Sequence, residues 1–262
     1  MTAVDTDALV TGLRQVSESI FALRFRAPHI AAAAQPGQFV NVLTSPFYDP
    51  LLRRAYSISN VYGEECEILF AVVGKGTSLL ARVREGDTLR VLGPLGRPFA
   101  CEEPFQTAIL VAGGIGIAPF PFLFSRLLDQ GKTVIPLVGA RCSSLIARGV
   151  ISGARYATDD GSEGCHGTVV DLFEEYLSTN EPVVPRVFAC GPNPMLAALR
   201  RSVLGRGIPC ELSLESEMAC GIGICQGCAV KRSRERDQYA LVCTDGPCFD
   251  ARDIVPLGEE GG

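Results

Sequence analysis

Four cysteines near the end of the chain have the spacing of an iron–sulfur ligand set. Cys220, Cys225 and Cys228 follow the pattern C-x4-C-x2-C, and Cys243 comes after a polar stretch. Plant-type [2Fe–2S] clusters use this spacing, with four thiolates holding two irons. The alternatives are a structural zinc site, whose cysteines usually come in two short pairs, and inert core thiols. The spacing favours a [2Fe–2S] cluster on these four residues.

A stretch in the first third of the chain carries residue types that suit a flavin. Within Arg54-Ala55-Tyr56-Ser57, Arg54 and Tyr56 share one face of a predicted strand, because strand side chains alternate. A guanidinium can pair with pyrophosphate, and a tyrosine ring can lie against an isoalloxazine. Gly74-Lys75-Gly76-Thr77 precedes a predicted helix, where backbone N–H groups can approach a phosphate. A plain strand edge and a simple turn are the alternatives; together the two motifs favour a flavin nucleotide.

Two glycine-bearing turns in the second half of the chain indicate a dinucleotide site. Gly113-Gly114-Ile115-Gly116 joins an apolar strand to a helix, and Cys190-Gly191 begins a second such turn. Dinucleotides bind at this edge of a parallel sheet, although the motif G-x-G-x-x-G is not met. A close-packed strand–helix turn remains the alternative for the first motif. For Thr158-Asp159-Asp160-Gly161 we favour a plain turn over a contact to an adenosine ribose.

The composition of the 262-residue chain is typical of a soluble protein, with 47% hydrophobic and 20% charged residues. Its formal net charge of −5 argues against nucleic acid or an anionic membrane as a partner. No apolar stretch reaches the roughly 18 residues of a membrane span. Residues 1–7 contain two acids and no apolar run, so we expect no signal peptide. We therefore expect a cytoplasmic protein whose other cysteines are mostly buried thiols.

The elements that must position these residues change in type along the chain. Short strands between Gly and Pro turns predict an antiparallel β-barrel, and apolar strands alternating with helices then predict a parallel α/β sheet. The predicted strands are Ala8–Gln15, Ile20–Arg26, Phe39–Leu43, Tyr56–Asn60, Cys66–Val73, Thr88–Leu92, Thr107–Ala112, Thr133–Val138, Arg155–Thr158, Arg186–Ala189 and Cys210–Leu214. The predicted helices are Thr77–Val83, a stretch ending near Leu128, Val169–Leu177 and Pro194–Leu204. We expect three domains, at 1–103 for the flavin, 104–207 for the nicotinamide nucleotide and 208–262 for the cluster.

The order of these motifs resembles that of the ferredoxin–NADP reductase superfamily. More specifically, the chain is similar to the electron-transfer subunits of NAD-using, heterotetrameric dihydroorotate dehydrogenases. The stretches that carry this similarity are Leu51-Leu52-Arg53-Arg54, Val73-Gly74-Lys75-Gly76-Thr77, Val91-Leu92-Gly93-Pro94-Leu95-Gly96, Met218 to Cys228, and Val242-Cys243-Thr244-Asp245-Gly246-Pro247. They extend over almost the full length of the chain.

The resemblance implies a set of cofactors, site residues and a partner. FAD would lie between the barrel and the α/β domain, the four cysteines would hold the cluster, and NAD(H) would be the substrate. The residues implied for FAD are Arg54, Ala55, Tyr56, Ser57, Leu69, Phe70, Ala71, Gly76 and Thr77, and those expected at NAD(H) are Gly113, Gly114, Gly116, Cys190 and Gly191. The partner would be an FMN-containing subunit that oxidises dihydroorotate, in a heterotetramer with two copies of each chain. No residue of this chain is expected to do the acid–base chemistry on dihydroorotate.

Two departures from the family pattern qualify the resemblance. Tyr56 takes a place where an aliphatic residue is frequent, and Cys248 adds a thiol where an apolar residue is usual, so the fourth ligand needs a test. One alternative function is an NAD(P)H-linked reductase subunit that serves a different redox partner. The other is a redox-sensing binding protein with a cluster but no turnover, which the two nucleotide-binding turns disfavour. A flavin links two-electron hydride carriers to one-electron centres, so the three motifs together predict an electron relay.

Overall fold

The computed structural model describes residues 3–45, 47–233 and 238–256. The strands are β1 Val4–Gln15, β2 Ile20–Arg26, β3 Phe39–Leu43, β4 Arg54–Tyr62, β5 Glu65–Ala71, β6 Thr88–Leu95, β7 Thr107–Gly113, β8 Thr133–Ala140, β9 Arg155–Thr158, β10 Cys165–His166, β11 Pro185–Cys190, β12 Cys210–Ser213, β13 Ala229–Arg232, β14 Tyr239–Leu241, β15 Cys248–Asp250 and β16 Ile254–Val255. The α-helices are α1 Pro28–Ala33, α2 Lys75–Leu80, α3 Phe120–Asp129, α4 Val169–Thr179 and α5 Asn193–Arg206.

The first six strands close into an antiparallel barrel in the order β1-β2-β5-β4-β3-β6. Alternate side chains of these strands, such as Phe25, Val42 and Ile58, fill its interior and are inaccessible to solvent. This confirms the predicted barrel. The predicted helix Thr77–Val83 instead begins at Lys75, because the Thr77 hydroxyl accepts hydrogen bonds from the preceding backbone N–H groups. Helix α1 was not predicted.

The second unit is a seven-stranded sheet in the order β10-β9-β8-β7-β11-β12-β15. All of its pairs are parallel except β12 with β15. Strand β7 is buried at every position, because helices and loops cover both faces of the sheet. Helix α4 begins at a capping box in which Thr168 and Asp171 exchange hydrogen bonds. The predicted parallel α/β sheet is confirmed.

The last part of the chain surrounds the cysteine loop with a small antiparallel sheet in the order β14-β13-β16. Together with the barrel and the parallel sheet, this cluster unit completes the predicted fold class. The predicted domain boundary at residue 207 marks the end of α5, where Gly207 takes a φ of 66°. The seven-stranded sheet nevertheless includes two strands that come after residue 207, because β12 pairs with β11 and β15 pairs with β12. The boundaries at 103 and 207 stay predictions. Within the described ranges, no helix has the length and apolar character to cross a bilayer.

Candidate cofactor sites

A cavity of about 390 Å³ opens between the barrel and the parallel sheet. The residues predicted for FAD that line it are Ala55, Tyr56, Ser57, Leu69, Phe70, Ala71 and Thr77. They come from β4 and β5, which the hydrogen-bond ladder of the barrel holds in place, and from the start of α2. Seven of the nine residues expected at FAD therefore share one cavity, although their contacts to the cofactor stay a prediction.

The other two residues predicted for FAD, Arg54 and Gly76, lie against each other at the N-terminal end of α2. A Cβ on Gly76 would be 3.7 Å from the Arg54 side chain and 3.1 Å from the Thr44 hydroxyl. The Arg54 guanidinium donates only to the carbonyls of Leu52 and Arg53, and no carboxylate pairs with it in the described part of the chain. The Thr44 hydroxyl is buried without a partner there. A cation and an unused polar group beside a glycine fit a pyrophosphate.

Tyr56 is a buried aromatic residue in the lining of the flavin cavity. Its ring meets Phe70 edge to face, with 5.9 Å between the ring centroids. Its hydroxyl is buried and has no hydrogen-bond partner among the described residues. Burial raises the pKa of Tyr56 to about 12, although nearby Arg54 acts in the opposite direction. Because Tyr56 also lines the cavity, a polar group of a bound flavin would be a suitable partner for this hydroxyl.

Sequence reasoning missed the opposite wall of this cavity. It comes from the end of β12 and the segment that leads to the cysteine loop, and the lining residues there are Ser213, Leu214, Glu215, Ser216 and Met218. Glu215 lines the cavity while remaining exposed to solvent. The motif search offered no signal for these residues, because only the folding of β12 against the barrel brings them to the cavity.

A second cavity, of about 720 Å³, lies at the carboxyl edge of the parallel sheet. Gly113 and Gly114 line it, as predicted for the nicotinamide nucleotide, and so does Arg141, which was not expected there. Asp159 lines it too, in the stretch where a plain turn was favoured over a ribose contact. Gly114 has a φ of 56°, and a Cβ there would meet no atom within 4 Å. This edge of a parallel sheet is where dinucleotides bind.

The remaining residues predicted for NAD(H) lie behind the lining of the second cavity. A Cβ on Gly116 would be 2.2 Å from the Cys190 carbonyl oxygen, and one on Gly191 would be 3.1 Å from the Gly113 nitrogen. The two predicted turns therefore come together, and Gly116 has a packing reason to be glycine. A direct contact between NAD(H) and Gly116, Cys190 or Gly191 stays a prediction.

The two cavities adjoin, since Ala71, Val73 and Ile115 line both of them. A ligand in the larger cavity can therefore reach one in the smaller cavity. Met218, on the far wall of the smaller cavity, is followed two positions later by the first cysteine of the loop. The cavities and the cysteine loop thus form a continuous series.

The four predicted cluster cysteines lie in two pairs. The Sγ atoms of Cys228 and Cys243 are 3.3 Å apart and buried, and β14 pairs with β13 beside them. Cys220 Sγ accepts hydrogen bonds from the backbone N–H groups of Cys225 and Ile222, at 3.4 and 3.5 Å. These bonds lower the pKa of Cys220 to about 6, whereas burial raises the pKa of Cys243 to about 11.

This arrangement fits a cluster with two irons, each held by two thiolates. In the described part of the chain, no three His, Cys, Asp or Glu side chains are close enough to hold a single metal ion. Positive φ values of 70° at Gly221 and 83° at Gly223 turn the loop so that its N–H groups face sulfur. The ligand assignment itself stays a prediction.

Cys248 lies apart from these pairs. Its Sγ is 3.7 Å from the Gly37 carbonyl oxygen, and burial raises the pKa of its thiol. Cys243 is therefore the better candidate for the fourth ligand. All eleven cysteines are free, and five of the seven outside the predicted ligand set are buried, as expected. The two histidines, His29 and His166, are exposed.

The fold and the sites together define an oxidoreductase that uses FAD and an iron–sulfur cluster. Residues 7–99 match the oxidoreductase FAD-binding domain family. Residues 215–255 match the iron–sulfur cluster binding domain of dihydroorotate dehydrogenase B. The reductase class expected from the motif order is thereby confirmed.

Within this class, the chain belongs to the family of electron transfer subunits of dihydroorotate dehydrogenase B (NAD(+)). It is 37% identical to the Desulforamulus reducens subunit of that name, over 95% of this chain and 97% of the relative. It is also 37% identical to the Geobacillus kaustophilus subunit, over 94% and 96%.

Solved structures agree with this assignment. A chain of the NADH-dependent reduced ferredoxin–NADP oxidoreductase aligns with a TM-score of 0.82 and 26% identity, over 94% of this chain and 89% of its own. The ferredoxin reductase of carbazole 1,9a-dioxygenase aligns with a TM-score of 0.64, over 80% and 68%, and at 22% identity it shows the shared fold alone.

Proposed function

We propose that this chain transfers electrons between NAD(H) and an FMN-containing catalytic subunit that oxidises dihydroorotate, a step of pyrimidine biosynthesis. The observation that carries the proposal is the continuous series of nicotinamide cavity, flavin cavity and cysteine loop. FAD supplies the exchange between a two-electron hydride carrier and a one-electron centre. The names of the relatives support NAD(H) as the substrate and a separate catalytic subunit.

The residues of this chain bind and orient the cofactors in this proposal. Arg54 and the backbone at Gly76 hold the pyrophosphate, while Tyr56 and Ser57 meet the isoalloxazine ring. Gly113 and Gly114 let the nicotinamide nucleotide approach the sheet edge. Because the chemistry on dihydroorotate belongs to the partner, this chain needs no acid or base for that substrate. We also infer a cytoplasmic location and a heterotetramer with two copies of each subunit.

The surface of the cysteine loop supports a protein partner. Ile224 is 76% exposed and Ile222 is 42% exposed, on either side of Gly223, and Cys225 is exposed beside them. Apolar side chains exposed around a redox centre are typical of a surface that another protein covers. We therefore place the catalytic subunit against this end of the loop.

The test combines the chain with an FMN-bearing, dihydroorotate-oxidising subunit. Dihydroorotate should reduce NAD only when both proteins are present, whereas the chain alone should reduce dyes with NADH. The Ile222→Glu and Ile224→Glu variants should lose the dihydroorotate-dependent reduction of NAD but keep the NADH-dependent reduction of dyes. Leu128→Glu is the matched control, because Leu128 is 49% exposed on helix α3 rather than on the loop. Dihydroorotate turnover by the chain alone, or normal coupling by both isoleucine variants, would contradict the proposal.

The second candidate is an NAD(P)H-linked reductase subunit for a different redox partner. The NADH-dependent reduced ferredoxin–NADP oxidoreductase supports it, because a chain of that enzyme has the same architecture at 26% identity. Identification of the protein that co-purifies with the native chain separates the two candidates. An FMN protein active on dihydroorotate supports the first, and any other oxidoreductase supports the second.

A further inference from the structure

Asn41 connects the flavin-binding barrel to the cysteine loop. Its neighbours Val40 and Val42 point into the barrel, so the Asn41 side chain is on the outer face of β3. It is nevertheless only 1% exposed, since the cysteine loop covers it. Its Nδ2 donates a hydrogen bond of 3.1 Å to the Cys220 carbonyl oxygen.

The loop is shaped around this amide. Gly221 has a φ of 70°, and a Cβ at this position would be 2.1 Å from Asn41 Nδ2. The other end of the amide, Oδ1, is buried without a hydrogen-bond partner among the described residues. An aliphatic residue would avoid that unsatisfied oxygen, so packing alone does not account for an asparagine here. The bond to Cys220 does.

The same face of the barrel forms part of the flavin cavity. Asn41 is the cross-strand partner of Ala55, and both Ala55 and Phe39 line the cavity. One strand pair therefore presents the flavin wall and the attachment point of the cysteine loop side by side. The Cys220 end of the loop is tied to this wall, while Cys225 and Ile224 lie at the exposed end.

We propose that Asn41 is a positioning residue that fixes the Cys220 end of the cluster loop against the flavin-binding strands. The exposed Cys225 end is then left to face the partner. Electron transfer between two centres slows steeply as the distance between them grows, and outer contacts of this kind hold metal ligands in place. The inference rests on the proposed electron-transfer function, but it concerns only the transfer from FAD to the cluster within this chain.

The test is a single-turnover experiment on the full chain loaded with FAD and its cluster. After mixing with NADH, absorbance follows flavin reduction and cluster reduction separately. The lag is the delay of cluster reduction behind flavin reduction. In Asn41→Leu this lag should be about tenfold longer, or more, than in the wild type. Amide hydrogen exchange in residues 220–225 should become faster, and the EPR signal of the reduced cluster should shift. Asn41→Asp, which keeps the size but lacks the N–H donor, should behave in the same way.

Gln38→Leu is the matched control. Gln38 is also a buried amide near β3, and its Nε2 donates a 2.8 Å hydrogen bond to the Gly96 carbonyl oxygen instead of the loop. Gln38→Leu removes this bond and the one that Oε1 accepts from the Gln35 N–H, and it should leave the lag unchanged. A wild-type lag in both Asn41 variants, or an equal lag in Gln38→Leu, would overturn the inference. A wild-type cluster that NADH does not reduce would instead contradict the proposed function, so the two failures are distinguishable.

Discussion

The flavin cavity and the cysteine loop hold their cofactors in opposite ways. The flavin cavity takes one wall from strands β4 and β5, whose backbone the barrel ladder fixes before any ligand binds. The cysteine loop lies outside the strands, turns through positive φ at Gly221, Gly223 and Gln226, and exposes Cys225. The cavity is therefore preorganised, whereas the loop depends on the cluster as a cross-link between its cysteines. A single change should accordingly have a graded effect at the cavity and an all-or-none effect at the loop.

The largest effect is expected from the cluster ligands. Replacing Cys220, Cys225, Cys228 or Cys243 singly with Ser should abolish the visible absorption of the cluster, because each iron needs both of its thiolates. The measurement is the absorption spectrum and the iron content of each purified variant. Loss of any one ligand should leave no partial cluster.

Cys248→Ser is the matched control for these variants. Cys248 is buried against Gly37 and is not paired with any of the four predicted ligands, so the variant should keep the full cluster. A retained cluster in Cys243→Ser together with a lost one in Cys248→Ser would reverse the assignment of the fourth ligand. A partial cluster in any ligand variant would weaken the contrast between the loop and the cavity.

The same contrast explains what the sequence could reveal. Strand β3 was predicted with both of its ends correct, because its periodicity is local. The cysteine spacing predicted a site because iron–sulfur ligands come from one short loop. No sequence motif indicated Asn41 beneath the loop or Glu215 at the flavin cavity. Those positions depend on β3 and β12 meeting elements that are far away in the chain, which no local pattern encodes.

A smaller, graded effect is expected at Arg54. If its guanidinium pairs with the FAD pyrophosphate, Arg54→Ala loses a charge-assisted contact worth about 1.5–3 kcal/mol. FAD should then bind roughly ten- to a hundred-fold more weakly, with the fold and the cluster intact. Titration of the deflavinated protein with FAD measures this. Arg53→Ala is the control, because Arg53 pairs with Asp5 at 3.0 Å and should leave FAD affinity unchanged. Equal FAD affinity in both variants would remove Arg54 from the site.

The smallest effect on FAD binding is expected at Tyr56. If the buried hydroxyl of Tyr56 bonds to the flavin, Tyr56→Phe should weaken FAD binding by about 0.5–1.5 kcal/mol, roughly two- to tenfold. In the FAD-free protein the same change removes an unpaired buried hydroxyl, so the free energy of unfolding should be equal or higher. FAD titration and urea unfolding of the deflavinated proteins measure the two effects. Weaker binding without loss of stability would assign the hydroxyl to the ligand; unchanged FAD affinity would show that Tyr56 only packs against Phe70.

The pH dependence of stability sharpens this last test. An unfolded tyrosine ionises near pH 10, whereas burial raises the pKa of Tyr56 to about 12 in the folded protein. Between these two values the unfolded state loses a proton that the folded state keeps, so the free energy of unfolding falls as the pH rises. This residue should contribute a loss of about 2–3 kcal/mol between pH 10 and 12. Tyr56→Phe lacks the ionising group, so its stability relative to the wild type should increase across that interval. A constant difference between the two proteins would mean that solvent reaches the Tyr56 hydroxyl and that the cavity is less preorganised than its strands suggest.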